Sequence, residues 1–211
     1  MDSHQQHLHR GFNWLGGAMI IAKVTDFGTI LVVLRFLTKE QVGAASLVVA
    51  FGAVIEAFDG LGTSTALVQA PSLSRIQLDS LFWVIVGAAC AVAGLTLLLA
   101  PYIASLYGIA GVGAYFLAIA IKQPLVGAAV IPLAMMNREL QYERIAIVNV
   151  GATFASALTR LGLAIVGAGA WAILIAYTAS GLFTLVGAAL VSPFRPIWTR
   201  LARRLKLAAI S

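Results

Sequence analysis

Six apolar runs constrain the fold of this chain more than any other feature of its sequence. The runs lie near residues 13–37, 42–68, 79–104, 112–136, 145–166 and 169–192. Each is long enough to cross a bilayer once, because a helix rises about 1.5 Å per residue and the hydrocarbon core is about 30 Å thick. The 211 residues are 61% hydrophobic and 10% charged, with a mean hydropathy of +0.96. This composition indicates an all-α polytopic membrane protein with about six transmembrane helices and not a soluble domain.

The runs and their flanks predict three segments. These are a polar cytoplasmic tail at 1–12, a six-helix transmembrane lobe at 13–192, and a basic amphipathic segment at 193–211 that would lie on the lipids of the inner leaflet. Basic residues outside the runs concentrate on one side, which the positive-inside rule assigns to the cytoplasm together with both termini. They are Arg10, Arg75, Arg138, Arg144, Arg195, Arg200, Arg203, Arg204 and Lys206.

The sequence offers no signature of catalysis or of metal binding. It has no H-E-x-x-H, no Walker lysine loop, no G-x-S-x-G and no Cys/His metal set, and its single cysteine, Cys90, lies in an apolar run. The formal charge is +6. In a chain this apolar, basic residues indicate first which loops lie on the cytoplasmic side of the membrane. We therefore expect a protein that is not an enzyme, has no cofactor or metal ion, and binds no nucleic acid.

Ionisable residues inside the apolar runs point to function. A charge near the middle of a bilayer costs about 2.5 kcal/mol or more, so such side chains normally face protein or water. Either a buried network that fixes the helix register or a hydrated cavity for a charged substrate or coupling ion explains them. We favour the cavity, with the run at 13–37 as one wall. The candidate residues are Lys23, Asp26, Glu56, Asp59, Lys122 and Arg160.

The spacing of the acidic residues limits their partners. Residues three apart lie on one face of a helix, so Lys23 and Asp26 can form an ion pair with each other. Glu56 and Asp59 have the same spacing but cannot pair unless one is protonated. They therefore require a proton or a cation from another helix, which Lys122 or Arg160 can supply.

Five sequence blocks resemble a known transporter family when they are taken together. They read LVVLRFLTKEQVGAASLV at 31–48, FDGLGTSTALVQAPSLSRIQLDSLFW at 58–83, APYIASLYG at 100–108, IPLAMMNRELQYERIAIVN at 131–149 and GAGAWAILIAY at 167–177. Their order and spacing are similar to those of the oligosaccharide flippases, the polysaccharide transporter branch of the multidrug/oligosaccharidyl-lipid/polysaccharide flippase superfamily.

The resemblance implies a multi-pass protein of the cytoplasmic (inner) membrane that acts in lipopolysaccharide or exopolysaccharide biosynthesis. Its substrate would be a polyprenyl-pyrophosphate-linked oligosaccharide, flipped to the outer face by alternating access. Members of the family have two six-helix lobes. This chain corresponds to the N-terminal lobe, and a second six-helix lobe or other polysaccharide-assembly proteins would be its partners.

The resemblance also suggests roles for individual residues. Cationic residues in the family's cavity meet the pyrophosphate, and the candidates here by position are Lys23, Lys122 and Arg160. Arg35 matches the family's arginine at the end of the first helix, and Arg138 matches the one in its inner loop. Two other functions stay open at this point: a drug or small-molecule antiporter of the same superfamily, and an inactive structural subunit of an envelope polysaccharide assembly complex.

Overall fold

The computed structural model of the protein describes residues 2–60, 74–108 and 111–192. All regular structure within these ranges is helical, which confirms the predicted all-α fold class. The helices are α1 (Asp2–Val33), α2 (Lys39–Gly60), α3 (Arg75–Tyr107), α4 (Val112–Tyr115), α5 (Leu117–Arg138), α6 (Tyr142–Ile165) and α7 (Ala170–Val191).

Five helical stretches among the described residues are long and apolar enough to cross a membrane. They are Lys39–Ala57, Arg75–Tyr107, Val112–Arg138, Tyr142–Ile165 and Ala170–Val191. The third of them joins the short helix α4 to α5. Their length and composition support the prediction of a polytopic membrane protein.

The first helix differs from the predicted span at 13–37. It begins at Asp2 and ends at Val33, and residues 34–36 form a turn. The helix therefore includes residues 2–12, whose assignment as a cytoplasmic tail stays a prediction. The predicted interfacial segment at 193–211 and the side chain of Asp59 lie outside what the structure describes.

Short polar motifs explain where two of the other helices begin. The Thr38 backbone N–H donates to Gln41 Oε1 over 3.1 Å, and the Gln41 N–H donates to Thr38 Oγ1 over 3.3 Å. Ser74 and Gln77 repeat this arrangement at the start of α3. Each motif is a capping box, which satisfies two of the backbone donors that a helix leaves unpaired at its N-terminus. These two polar breaks in the sequence are thus helix-start signals.

The long helices pack as a row of neighbours. Helix α6 lies between α1 and α7, and α5 lies between α7 and α3, while α2 packs against α7. Phe116 and Leu174 are fully buried in the largest apolar cluster, which α2, α3, α4, α5 and α7 share. The row places α1, α6 and α7 side by side, and these three helices form the candidate site.

Gly127 sets the close contact between α3 and α5. A Cβ atom built on Gly127 would lie 2.8 Å from the Ala89 Cβ, which is closer than two methyl carbons can approach. Small residues at such contacts let membrane helices approach closely.

Replacing Gly127 with alanine should destabilise the lobe by about 1–3 kcal/mol, because the added methyl group must push α3 and α5 apart. Gly94→Ala is the matched control: Gly94 also lies in α3, but nothing lies within 4 Å of the added Cβ. Thermal unfolding in lipid nanodiscs measures both variants. Equal melting temperatures for the two would contradict the assignment of Gly127 to a tight helix contact.

Candidate functional site

An ion pair between Asp26 and Arg160 joins α1 to α6. Arg160 Nη2 lies 2.9 Å from Asp26 Oδ1. Arg160 Nη1 lies 3.4 Å from both the Asp26 carbonyl oxygen and Thr29 Oγ1. The arginine side chain is 10% exposed and the aspartate side chain 41% exposed. The cation is therefore held inside the lobe, while the carboxylate that holds it borders open space.

A second ion pair lies on the other side of α7. Lys122 of α5 places its Nζ 2.7 Å from Glu56 Oε1 of α2. The Tyr177 hydroxyl donates to the same Oε1 over 2.6 Å, and the Lys122 ammonium lies 3.4 Å from the centroid of the Tyr177 ring. The Lys122 side chain is only 9% exposed. This cluster compensates a buried ammonium group by a carboxylate and by the face of an aromatic ring.

Two glycines make room for this second cluster. A Cβ on Gly181 of α7 would lie 2.9 Å from Lys122 Cγ, and a Cβ on Gly52 of α2 would overlap the Tyr177 hydroxyl group. Both glycines are helical, so their role is space and not backbone conformation. The glycines in α2 and α7 thus allow Lys122 and Tyr177 to lie between the helices.

Two adjoining cavities lie along α1, α6 and α7. The more polar one has a volume of about 240 Å³, and its lining includes Ala22, Lys23, Asp26, Thr153, Ser156, Arg160, Tyr177 and Ser180. The other has a volume of about 300 Å³, and its lining includes Met19, Ala22, Lys23, Ala146, Asn149, Val150, Ala152, Thr153, Ser180 and Thr184. Four residues line both, so the cavities form one groove with a charged end and a less polar end.

The charged end carries a positive surplus. Lys23 and Arg160 contribute two cations, and Asp26 contributes one carboxylate. The Lys23 side chain is exposed and makes no ion pair with any residue that the structure describes. Thr153, Ser180 and Tyr177 also line this end of the groove. Such a site attracts anions and offers hydrogen-bond partners to polar ligands.

The structure resolves the partner choices that the sequence left open. Asp26 pairs with Arg160 and not with Lys23, although the two residues of α1 share one helix face. Glu56 receives a cation from Lys122, one of the two partners considered for it. The binding roles of these residues stay predictions. Lys23, Asp26 and Arg160 line one cavity, whereas Glu56 and Lys122 form a second cluster that adjoins this cavity through Tyr177.

The two arginines carried over from the family resemblance lie elsewhere. Arg35 is exposed in the turn that follows α1, and Arg138 lies in the last turn of α5. Neither is among the residues that line the two cavities. Arg35 therefore follows the end of α1 instead of ending it, and Arg138 belongs to a helix and not to the loop that the resemblance implied.

The groove also contains polar residues that the sequence reasoning missed. Thr153, Ser156 and Arg160 follow one another at intervals of three and four along α6, and they line the charged end together. On α7, Tyr177, Ser180 and Thr184 have the same spacing and also face the groove. This spacing keeps polar side chains on one face of an otherwise apolar helix. The spacing of these polar residues is visible in the sequence, but they carry no charge and are therefore less conspicuous in an apolar run than Lys23 or Arg160.

No metal centre is evident in the part of the chain that the structure describes. Among those residues, no group of three or more His, Cys, Asp or Glu side chains is placed to hold an ion. The donor set of the groove, two cations with one carboxylate and several hydroxyl groups, suits an anionic or hydroxyl-rich ligand.

Comparison with known proteins gives one result. A family model described as polysaccharide biosynthesis protein matches residues 32–209. No curated protein and no solved structure matches the chain. The matched range includes α2 to α7 and therefore every helix of the candidate site except α1, of which it includes only the end.

Proposed function

Because this chain belongs to the polysaccharide biosynthesis protein family, we propose that it flips a polyprenyl-pyrophosphate-linked oligosaccharide across the cytoplasmic membrane for lipopolysaccharide or exopolysaccharide synthesis. The observation that carries this proposal is the groove along α1, α6 and α7. A flipped glycolipid must bring a charged headgroup and a polar glycan through the hydrocarbon region, and a polar groove inside a membrane lobe provides a path for both.

The two ends of the groove suit the two polar parts of such a substrate. Lys23 and Arg160 at the charged end offer donors to a pyrophosphate. Asn149 and Thr184 at the less polar end offer hydrogen-bond partners to sugar hydroxyl groups. The isoprenoid tail, which is as apolar as the lipid chains, would stay in the bilayer.

The exposure of two charged residues of the site supports the presence of a second lobe that covers them. Asp26 is 41% exposed, and Lys23 lies beside it on the exposed face of α1. Charged groups at membrane depth face protein or water, so a second six-helix lobe or another assembly protein would cover this side of the groove. Rocking of the two lobes would then open the groove to the cytoplasm and to the outer face in turn. No bond is made or broken in this mechanism.

A gene deletion in the source organism tests the proposal. Loss of this chain should abolish the surface polysaccharide while its lipid-linked precursor accumulates on the inner leaflet. Reintroducing the intact chain should restore export. Missing sugar precursors in place of accumulated lipid-linked oligosaccharide would indicate an enzyme of synthesis. Unchanged polysaccharide together with altered drug resistance would indicate the small-molecule antiporter, and rescue by a chain without its charged groove residues would indicate a structural subunit.

A further inference from the structure

The guanidinium group of Arg160 is only partly used by its partner. Asp26 accepts from Nη2 through one carboxylate oxygen, over 2.9 Å. Arg160 Nε is buried and has no hydrogen-bond partner among the described residues. An arginine presents Nε and Nη2 as a parallel fork, to which a carboxylate or phosphate can bind with two oxygens. A buried donor without an acceptor is unfavourable, so this fork is incompletely satisfied by Asp26.

Asp26, which accepts from this fork, is the more exposed member of the ion pair. The Asp26 side chain is 41% exposed and the Arg160 side chain 10% exposed. Arg160 is fixed between helices, with Nη1 within 3.4 Å of both Thr29 Oγ1 and the Asp26 carbonyl. A ligand entering the groove therefore meets the carboxylate first and can replace it without moving the arginine.

We propose that Asp26 is an internal competitor for the anionic headgroup, whose carboxylate holds Arg160 until a phosphate displaces it. This inference rests on the proposed function and adds how the site selects its ligand. A phosphate group has several acceptor oxygens and can bind both Nε and Nη2, which a single Asp26 oxygen does not do. Neutral sugars lack the charge to displace the carboxylate, so they bind only when they are attached to a phosphate.

The displaced carboxylate does not remain without a cation. Lys23 precedes Asp26 by three residues on α1 and lines the same cavity, so its ammonium group lies within reach of a rotated Asp26 side chain. The exchange thus replaces one ion pair by two: phosphate with Arg160, and Asp26 with Lys23. Lys23 acts in this scheme as a positioning residue for Asp26.

The test uses the full chain in lipid nanodiscs, with farnesyl pyrophosphate as the probe and farnesol as its uncharged counterpart. Calorimetry measures the affinity of each for the unaltered chain and for Asp26→Asn. The asparagine keeps an oxygen for Arg160 Nη2 but loses the charge, so farnesyl pyrophosphate should bind at least about tenfold more tightly while farnesol binding is unchanged. A merely structural role of Asp26 would give weaker binding.

Two further variants make the result specific. Glu143→Gln removes a negative charge at the exposed start of α6 and should leave the affinity unchanged. Asp26→Ser is the second neutral variant if the asparagine chain is poorly folded, and it should repeat the tighter binding.

Each outcome bears on one of the two proposals. Unchanged or weaker binding of farnesyl pyrophosphate to both neutral variants would overturn the competitor role of Asp26, while the proposed function would stand. Equal affinity of the unaltered chain for farnesyl pyrophosphate and farnesol would overturn the anion site itself. An equal gain in affinity from Glu143→Gln would show a general charge effect and would also overturn the inference.

Discussion

Replacing Arg160 with glutamine should lower polysaccharide export at least about tenfold while the protein stays in the membrane at a near-normal level. Each charge-assisted hydrogen bond to a phosphate is worth about 1.5–3 kcal/mol, and a difference of 1.4 kcal/mol is a factor of ten. The variant should fold, because the half-exposed Asp26 can pair with Lys23 on the same helix face once Arg160 is gone. Surface polysaccharide and accumulated lipid-linked precursor are the readouts.

Two control variants distinguish the loss of the binding group from a general effect of changing an arginine in α6. Arg144→Gln removes the same group from the exposed start of α6, where it contacts Gln141, and should change export by less than about twofold since exposed polar contacts contribute little. Arg160→Lys keeps the charge but loses the fork, so we expect intermediate export. Export at the normal rate in Arg160→Gln would show that the groove does not bind the headgroup.

Replacing Lys122 with methionine should destabilise the lobe by about 2–3 kcal/mol. The substitution removes the only ammonium group that contacts Glu56 among the described residues, and it leaves that carboxylate between α2, α5 and α7 with the Tyr177 hydroxyl as its remaining partner. Lys122 is 9% exposed and Glu56 is 33% exposed, so removing the ammonium group leaves a partly buried carboxylate without its counter-charge, which is costly but less so than in a fully buried pair. Thermal unfolding in nanodiscs gives the loss, and Lys39→Met, at the exposed start of α2, is the control.

A double-mutant cycle identifies the pair as the cause. Combining Lys122→Met with Glu56→Gln removes both charges, so the double variant should recover most of the stability that the single variants lose, with a coupling energy above about 2 kcal/mol. If the two losses simply add, the contact between Lys122 and Glu56 contributes little. The destabilisation would then have another origin, such as the lost contact of Lys122 with the Tyr177 ring.

The two clusters have different tasks in this interpretation. The cluster of Glu56, Lys122 and Tyr177 is compact, satisfied and linked by short contacts. The pair of Asp26 and Arg160 leaves one donor unused and borders a cavity. The first therefore connects helices, and the second is available for exchange with a ligand. The sequence suggested that all six charged residues line one cavity and that Lys122 is a candidate for binding the pyrophosphate. In the structure, Lys122 instead pairs with Glu56.

Much of the architecture was predictable from the sequence. Apolar runs of about 20 residues must form helices in a membrane, because the hydrocarbon offers no partner for backbone groups. The break at Thr38 to Gln41 was visible as a polar interruption, and its capping box is a local motif whose four residues suffice to define it. The end of α1 at Val33 was not predictable, because Leu34, Phe36 and Leu37 continue the apolar run beyond it.

The sequence by itself determined that this chain is a helical membrane protein and that charged residues interrupt its apolar runs, since both conclusions depend only on the chemistry and local spacing of residues. Only the tertiary structure decided which charges meet. Asp26 had Lys23 within reach on its own helix, yet its partner is Arg160, 134 residues away in the chain. The physical reason is burial: the arginine lies between helices and requires a counter-charge there, whereas Lys23 is exposed at the groove. That difference depends on how α1 packs against α6, which no local spacing in the sequence records.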